Sequence, residues 1–176
     1  GYDLNSEEVF IPNKEISKEY VTAMKRGYGE VVSAVKASDE LLSATWQEDA
    51  EVVAAGIEAA HRETSHLTYN SETALSYTIS LAYYAAREYY TITREQPAGK
   101  GFADLVFVPR PNHPDKPAMI VELKWDKSAQ TAIGQIKEKQ YPKALEGYRG
   151  DLLLVGVNYS KKTKKHECLI ECVQLS

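Results

Sequence analysis

Three runs rich in β-branched and aromatic residues follow one another with no helical pattern between them: YYTITRE over 89–95, FADLVFV over 102–108 and AMIVELKW over 118–125. Such side chains fit a pleated, partly buried surface. Pro97-Ala98-Gly99-Lys100-Gly101 punctuates the first junction as a turn, and Pro109, Pro111, Pro114 and Pro117 enforce a loop at the second. Three strands joined in this way begin a sheet, and the remaining segments have to extend it or cover it. DLLLVGVNY over 151–159 reads as a buried strand, and a Lys-rich turn leads to a last strand over 166–175.

The covering segments carry a helical period. Residues 14–36 place Ile16, Tyr20, Met24, Val31 and Val35 on roughly one face, with Gly27 and Gly29 weakening the middle and able to break it. Residues 39–62 form a stronger helix, capped by Ser38 or Asp39, with Leu42, Trp46, Ala50, Val53, Ile57 and Ala60 as its stripe. Asn70 or Ser71 can cap a helix over 72–88 whose apolar face is Leu75, Ile79, Ala82, Tyr83 and Ala86. A further helix over 128–147 turns Ala129, Ala132, Ile133, Ile136 and Leu145 inward. Residues 1–12 are a short extended piece ending at Pro12. This order implies an α/β fold, a mixed central sheet flanked by helices, with an N-terminal helical extension. The boundary falls around residues 36–39, between an arm over 1–38 and a core domain over 39–176.

The chemistry concentrates on the second and third strands. If their proline-rich loop is centred at His113, Asp104 and Glu122 lie nine residues to either side of it and face one another across an antiparallel pair. Lys124 leaves the same face as Glu122, while Val121 and Leu123 point the other way. Two carboxylates and an ammonium thus converge at one end of a half-buried sheet, where like charges directly opposed are destabilising. A divalent cation gives a reason for the arrangement. Mg²⁺ takes oxygen ligands and keeps several waters, with one or two carboxylates and substrate phosphate around it. Asp104, Glu122 and a backbone carbonyl beside Glu122 supply that set, and Lys124 is placed to orient or deprotonate an attacking water. Glu-x-Lys alone says little in a chain with 26% charged residues; the Asp on the preceding strand is what gives it weight. Glu72 and Gln135 are weaker members. Glu72 is either a carboxylate reaching the metal or a first-turn acid favoured by the helix dipole. Gln135 either binds phosphate or orients Lys124, or is an ordinary polar helix position.

Asp, then Glu-x-Lys on the next strand, then Gln on the following helix resembles the PD-(D/E)xK nuclease superfamily, and the αβββαβ order is similar to its restriction-endonuclease-like core. YNSETALSYTISLAYYAAREYY, GKGFADLVFVPR, DKPAMIVELKW, AIGQIKEKQY and LLLVGVNY resemble, more narrowly, the nuclease-like domain found behind an AAA-ATPase-like domain in many bacterial proteins. FIPNKEI resembles the junction between the two. The resemblance covers roughly residues 2–174 and departs from the pattern at Ala103, where a proline often precedes the Asp. It implies metal ligands at Asp104 and Glu122, a catalytic lysine at Lys124, a helix acid at Glu72 that can join the metal, and a post-motif glutamine at Gln135. It implies hydrolysis of nucleic acid, DNA before RNA, with Mg²⁺ or Mn²⁺, and an upstream ATPase-like partner domain. A regulatory or binding module without turnover is the competing expectation.

Composition narrows the classes. A net charge of −4 and a pI near 5.6 run against a strongly basic nucleic-acid surface. Lys161, Lys162, Lys164 and Lys165 read as a solvated turn, whereas Lys124, Lys127, Lys137, Lys139 and Lys143 fall in one segment. Two cysteines fit a reducing cytoplasm, and Cys168, Cys172 and His166 lack a fourth partner for zinc. No apolar run approaches a membrane span. Gly1 in place of an initiator Met points to an excised domain of a longer protein. Gly99-Lys100-Gly101 lacks the Ser/Thr of a phosphate-binding loop. His61, His66 and His113 suggest no nucleophile triad, and Tyr77, Tyr83, Tyr84, Tyr89 and Tyr90 read first as core and rim. Oligomeric state stays open, with 166–175 as an edge that can pair.

Overall fold

The computed structural model describes the backbone of residues 2–3, 8–9, 14–64, 72–98, 101–139 and 145–175, and the side chains of 29, 31–62, 75–94, 104–139 and 145–175. The chain divides into two compact units, residues 1–36 and 37–176. In the first, β1 (Tyr2–Asp3) and β2 (Glu8–Val9) pair antiparallel. Helix α1 spans Lys14–Trp46.

Helix boundaries differ from those expected. α1 runs through Gly27, Gly29, Ser38 and Asp39, because about 1 kcal/mol per glycine does not outweigh 33 residues of continuous helix. The break comes at Gln47–Asp49. Glu48 takes a left-handed φ of 58° that ends α1, and Asp49 Oδ1 accepts the Val52 N–H at 3.1 Å to start α2 (Ala50–Thr64). Ser38 is buried and caps nothing; its Oγ accepts the Ala85 N–H at 2.8 Å. Helix α3 (Glu72–Ala82) stops before residue 88 and tightens into a 3-10 turn over Tyr84–Arg87. Its five expected apolar residues are nevertheless all buried.

The sheet of the second unit has the order β3-β4-β5-β6-β7. Its strands are β3 (Tyr90–Ala98), β4 (Gly101–Pro109), β5 (Ala118–Trp125), β6 (Gly150–Ser160) and β7 (Lys165–Leu175). Only β5 and β6 pair in parallel; the other three pairings are antiparallel. Pro97, placed in a turn by its type, lies inside β3, which is possible because β3 is an edge strand with one side free of ladder bonds. Helix α4 (Ala129–Lys139) crosses between β5 and β6.

Alternation along the strands divides the core in two. Leu105, Phe107, Met119, Val121, Leu123, Val155 and Val157 pack with Leu42, Val53, Ile57, Leu75 and Ile79 of the three preceding helices. Val106, Ala118, Ile120, Leu152 and Leu154 pack with Ile133, Ile136 and Leu145. The sheet is therefore covered on both faces rather than half-buried, and β5 is buried from Ala118 to Lys124. This suits a central strand with a parallel neighbour.

Gly156 sets how closely α4 approaches. A Cβ there would stand 2.5 Å from the Ala129 carbonyl oxygen and 3.0 Å from Ile133 Cγ1. On the other face, His61 of α2 and His166 of β7 share a hydrogen bond of 2.7 Å between Nδ1 and Nε2. Both rings lie against Tyr159, with centroids at 4.7 and 4.9 Å. Burial pushes each imidazole down to about 4; the nearby Glu58 charge only partly offsets this at His61, and His61 itself adds to it at His166.

Two outcomes follow from this packing. Gly156→Ala should lower unfolding free energy by roughly 1–3 kcal/mol in urea titration, because a rigid backbone oxygen must move. The histidine pair binds fewer protons folded than unfolded, so its stability is full above pH 6.5 and is lost as pH falls toward about 4. The double variant His61→Phe/His166→Phe should lose less stability than the parent between pH 7 and pH 4.5.

Candidate active site

β5 is held differently along its two edges. Toward β6 the parallel ladder is continuous from Ala118↔Leu152 to Trp125↔Tyr159. Toward β4 the pairs are Phe107↔Met119, Val106↔Ile120 and Leu105↔Val121, a register centred on His113. The next position in that register sets Asp104 against Glu122. There a side chain takes over from the backbone: Asp104 Oδ2 accepts the Leu123 N–H at 2.7 Å. Strand alternation puts Asp104 on the side of Val106, and Glu122 and Lys124 on the side of Ile120, which is the face covered by α4.

Glu122 and Lys124 are among the few buried charged residues, at 1% and 5% exposure. Lys124 Nζ stands 3.0 Å from Glu122 Oε1, and Lys139 Nζ is 3.5 Å from the same oxygen. Gln135 Nε2 also donates to Oε1. Three donors therefore converge on one oxygen, while Oε2 is buried with no hydrogen-bond partner. Burial raises the Glu122 carboxyl above the ordinary carboxylate range, and the Asp104 charge adds to this. Lys124, through its hydrogen bond and charge, and then Lys139 pull it back down.

Several contacts fix α4 over these groups. Ser128 Oγ accepts the Thr131 N–H at 3.1 Å, and Glu167 Oε2 of β7 accepts the Ala129 N–H at 3.2 Å, so the first turn is capped twice. Asn158, the register partner of Lys124, is buried and holds the β5–α4 turn from both sides. Its Oδ1 accepts the Lys127 N–H at 3.0 Å, and its Nδ2 donates to the Lys127 carbonyl at 3.2 Å. Asp126, at a left-handed φ of 52°, turns the chain there.

Of the sequence-derived candidates, Glu122, Lys124 and Gln135 are in direct contact, and Asp104 is bonded to the peptide between the first two. Glu72 is the first residue of α3; its side chain lies outside the described residues, as does that of Lys143. In the sequence Lys139 is only one base among several. Its signal was its spacing, four residues from Gln135 and so on the same helix face. The His61–His166 pair had no sequence signal, because 105 residues separate the two. Cys168 is partly buried against the core, whereas Cys172 is exposed rather than a core residue. Residues 161–165 are solvent-exposed, as a Lys-rich turn should be.

The donors suit a hard cation. Two carboxylates offer oxygen only, one of those oxygens is buried without a partner, and Mg²⁺-type ions are commonly held by one or two carboxylates with waters completing the shell. Among the described residues no group of three or more His, Cys, Asp or Glu side chains gathers. No helix among the described residues is long and apolar enough to cross a membrane.

A sequence model of the PD-(D/E)XK nuclease superfamily matches residues 75–168. That span is just over half of the 176 residues and contains Asp104, Glu122, Lys124 and Gln135. No curated protein matches the chain.

The buried pair yields a pH-dependent outcome. Lys124→Met removes the nearest cation, so the Glu122 carboxyl should titrate at higher pH than in the parent, read by carbon-detected NMR. A carboxyl raised in the folded state favours folding below its ordinary value near 4.5 and loses that contribution as pH rises. The variant should therefore fall further behind the parent between pH 5 and pH 8, reaching a deficit of roughly 3 kcal/mol.

Proposed function

Because the chain belongs to the PD-(D/E)XK nuclease superfamily, we propose that it hydrolyses phosphodiester bonds in DNA with the help of Mg²⁺ or Mn²⁺, through Asp104, Glu122 and Lys124. The observation that carries this reading is the buried Glu122 Oε2 with no partner, beside a second carboxylate and a lysine on one strand edge. Asp104 and Glu122 are the residues that would hold the ion, with Glu72 as a further candidate at the start of α3. The chemistry such an ion brings is Lewis acidity toward a phosphoryl oxygen and a water acidified toward neutral pH.

The chain's own groups supply orientation and charge. Asp104 holds the Leu123 N–H, which fixes the peptide that follows Glu122 and so the direction in which Glu122 and Lys124 project. Lys124 partly offsets the effect of burial on the Glu122 carboxyl and stands where it can orient or accept a proton from an attacking water and offset charge on a phosphate. Gln135 and Lys139 keep Glu122 Oε1 engaged, which directs Oε2 to the ligand side. The proposed unit for this work is 39–176. A tether to an upstream ATPase-like domain is a separate proposal, supported by the resemblance of FIPNKEI alone.

Cleavage of plasmid, single-stranded and duplex DNA, with RNA as a parallel substrate, should appear with Mg²⁺ or Mn²⁺ and stop in EDTA. Asp104→Asn keeps an acceptor for the Leu123 N–H but loses the charge, and Lys124→Ala removes the ammonium. Each should lower the rate at least about 100-fold, the scale for removing one group that stabilises a transition state. Cleavage at the parental rate by both folded variants would overturn these roles.

A further inference from the structure

The outward face of α3 carries a feature that the carboxylate centre does not use. Tyr77, Leu81 and Tyr84 form a stripe along α3 and the following 3-10 turn, each more than half exposed. Arg94 of β3 lies over the Tyr77 ring with its guanidinium carbon 4.1 Å from the centroid. Its Nη2 donates to Ser76 Oγ at 3.0 Å, while its Nε is buried with no hydrogen-bond partner. No carboxylate pairs with Arg94 among the described residues. A second guanidinium, Arg87, stands 5.3 Å from the centre of the Tyr84 ring.

The strand register fixes where Arg94 lies relative to the carboxylates. Arg94 pairs with Leu105, and Leu105 pairs with Val121, at the last rung before β4 and β5 are joined through the Asp104 side chain instead. Two strand spacings put Arg94 about 10 Å from β5, on the face opposite Glu122. A guanidinium with no carboxylate partner attracts an anion such as a phosphate. An exposed ring backed by that guanidinium offers its free face to a base. With a chain net charge of −4, attraction for a nucleic acid has to be local, and here an arginine without a carboxylate partner lies against an exposed ring.

We propose that Tyr77 and Arg94 form a subsite for an unpaired nucleotide on the sheet face opposite the cleavage centre, with the base stacked on Tyr77 and its phosphate bound by Arg94. This rests on the nuclease reading and adds to it a preference for single-stranded or frayed nucleic acid. Ser76 is a positioning residue that holds the guanidinium over the ring. Tyr84 and Arg87 repeat the arrangement for the next nucleotide along the stripe.

The test is fluorescence anisotropy in EDTA, using the full chain with a labelled thymidine oligonucleotide, the same oligonucleotide made abasic, and a blunt duplex. Tyr77→Ala should weaken binding to the thymidine strand about tenfold, leave the abasic strand unchanged, and be rescued by Tyr77→Phe. Arg94→Ala should weaken both single strands and reduce the slope of log affinity against log salt by about one, with Arg94→Lys restoring the slope but not the full affinity. In cleavage assays Tyr77→Ala should raise KM on single strands and leave kcat alone. Equal binding of all oligonucleotides by the parent and Tyr77→Ala, with cleavage intact, would overturn the subsite and spare the nuclease reading, leaving the stripe to a protein partner. A parent that neither binds nor cleaves any of the three would overturn both.

Discussion

A carboxylate in the middle of a covered sheet must be compensated, and Glu122 is compensated on only one side. Lys124, Lys139 and Gln135 all reach Oε1, and Oε2 is left buried and bare. An unsatisfied buried oxygen costs about 1–3 kcal/mol, and more when it carries charge. The rest of the unit is arranged around that cost. α4 has to lie close enough for Gln135 and Lys139 to arrive, which requires a glycine at 156 and two caps on the first turn. The asymmetry is poor design for stability alone. It is what a ligand-binding carboxylate needs, since an oxygen already satisfied by the protein has no reason to take a cation.

The same logic applies to the place where β4 and β5 part company. A sheet buried on both faces normally completes its ladder, because backbone donors away from water need partners. Here the Leu123 N–H is satisfied by a side chain, Asp104 Oδ2. The fold thus keeps its hydrogen bond while opening the strand edge beside Glu122. Burial makes the charges expensive, and that expense is what gives an electrostatic site its strength in a low local dielectric.

Much of this could be read from the chain, and the reason is local. The register that faces Asp104 with Glu122 depends on one loop and a period of two, both visible between residues 104 and 124. The buried faces of α3 and α4 follow from the helical period. What escaped reading depends on contacts between distant segments. The break between α1 and α2 was expected at two glycines or at Ser38, but tertiary burial of Ser38 and the left-handed Glu48 moved it to residues 47–49. The alternation of β5 suggested one wet face, and only the close approach of α4 over Gly156 shows that both are dry. His61 and His166 looked unremarkable singly and acquire meaning only when α2 lies on β7.

Exposure separates the tyrosines that composition could not. Tyr83 and Tyr90 are fully buried, and each anchors its hydroxyl, on Thr45 at 2.8 Å and on the Pro117 carbonyl at 2.9 Å. Their value is packing, and a buried phenol with a satisfied hydroxyl is what a core tyrosine should be. Tyr77 and Tyr84 come from the same short stretch but keep over half their surface in water, each beneath or beside an arginine. An exposed ring with a guanidinium against one face keeps its other face open to a ligand. In the proposed nuclease the carboxylate centre would have little grip of its own, because Lys124 and Lys139 both contact Glu122. The surface proposed to supply that grip offers flat rings and an arginine without a carboxylate partner on the other face of the sheet.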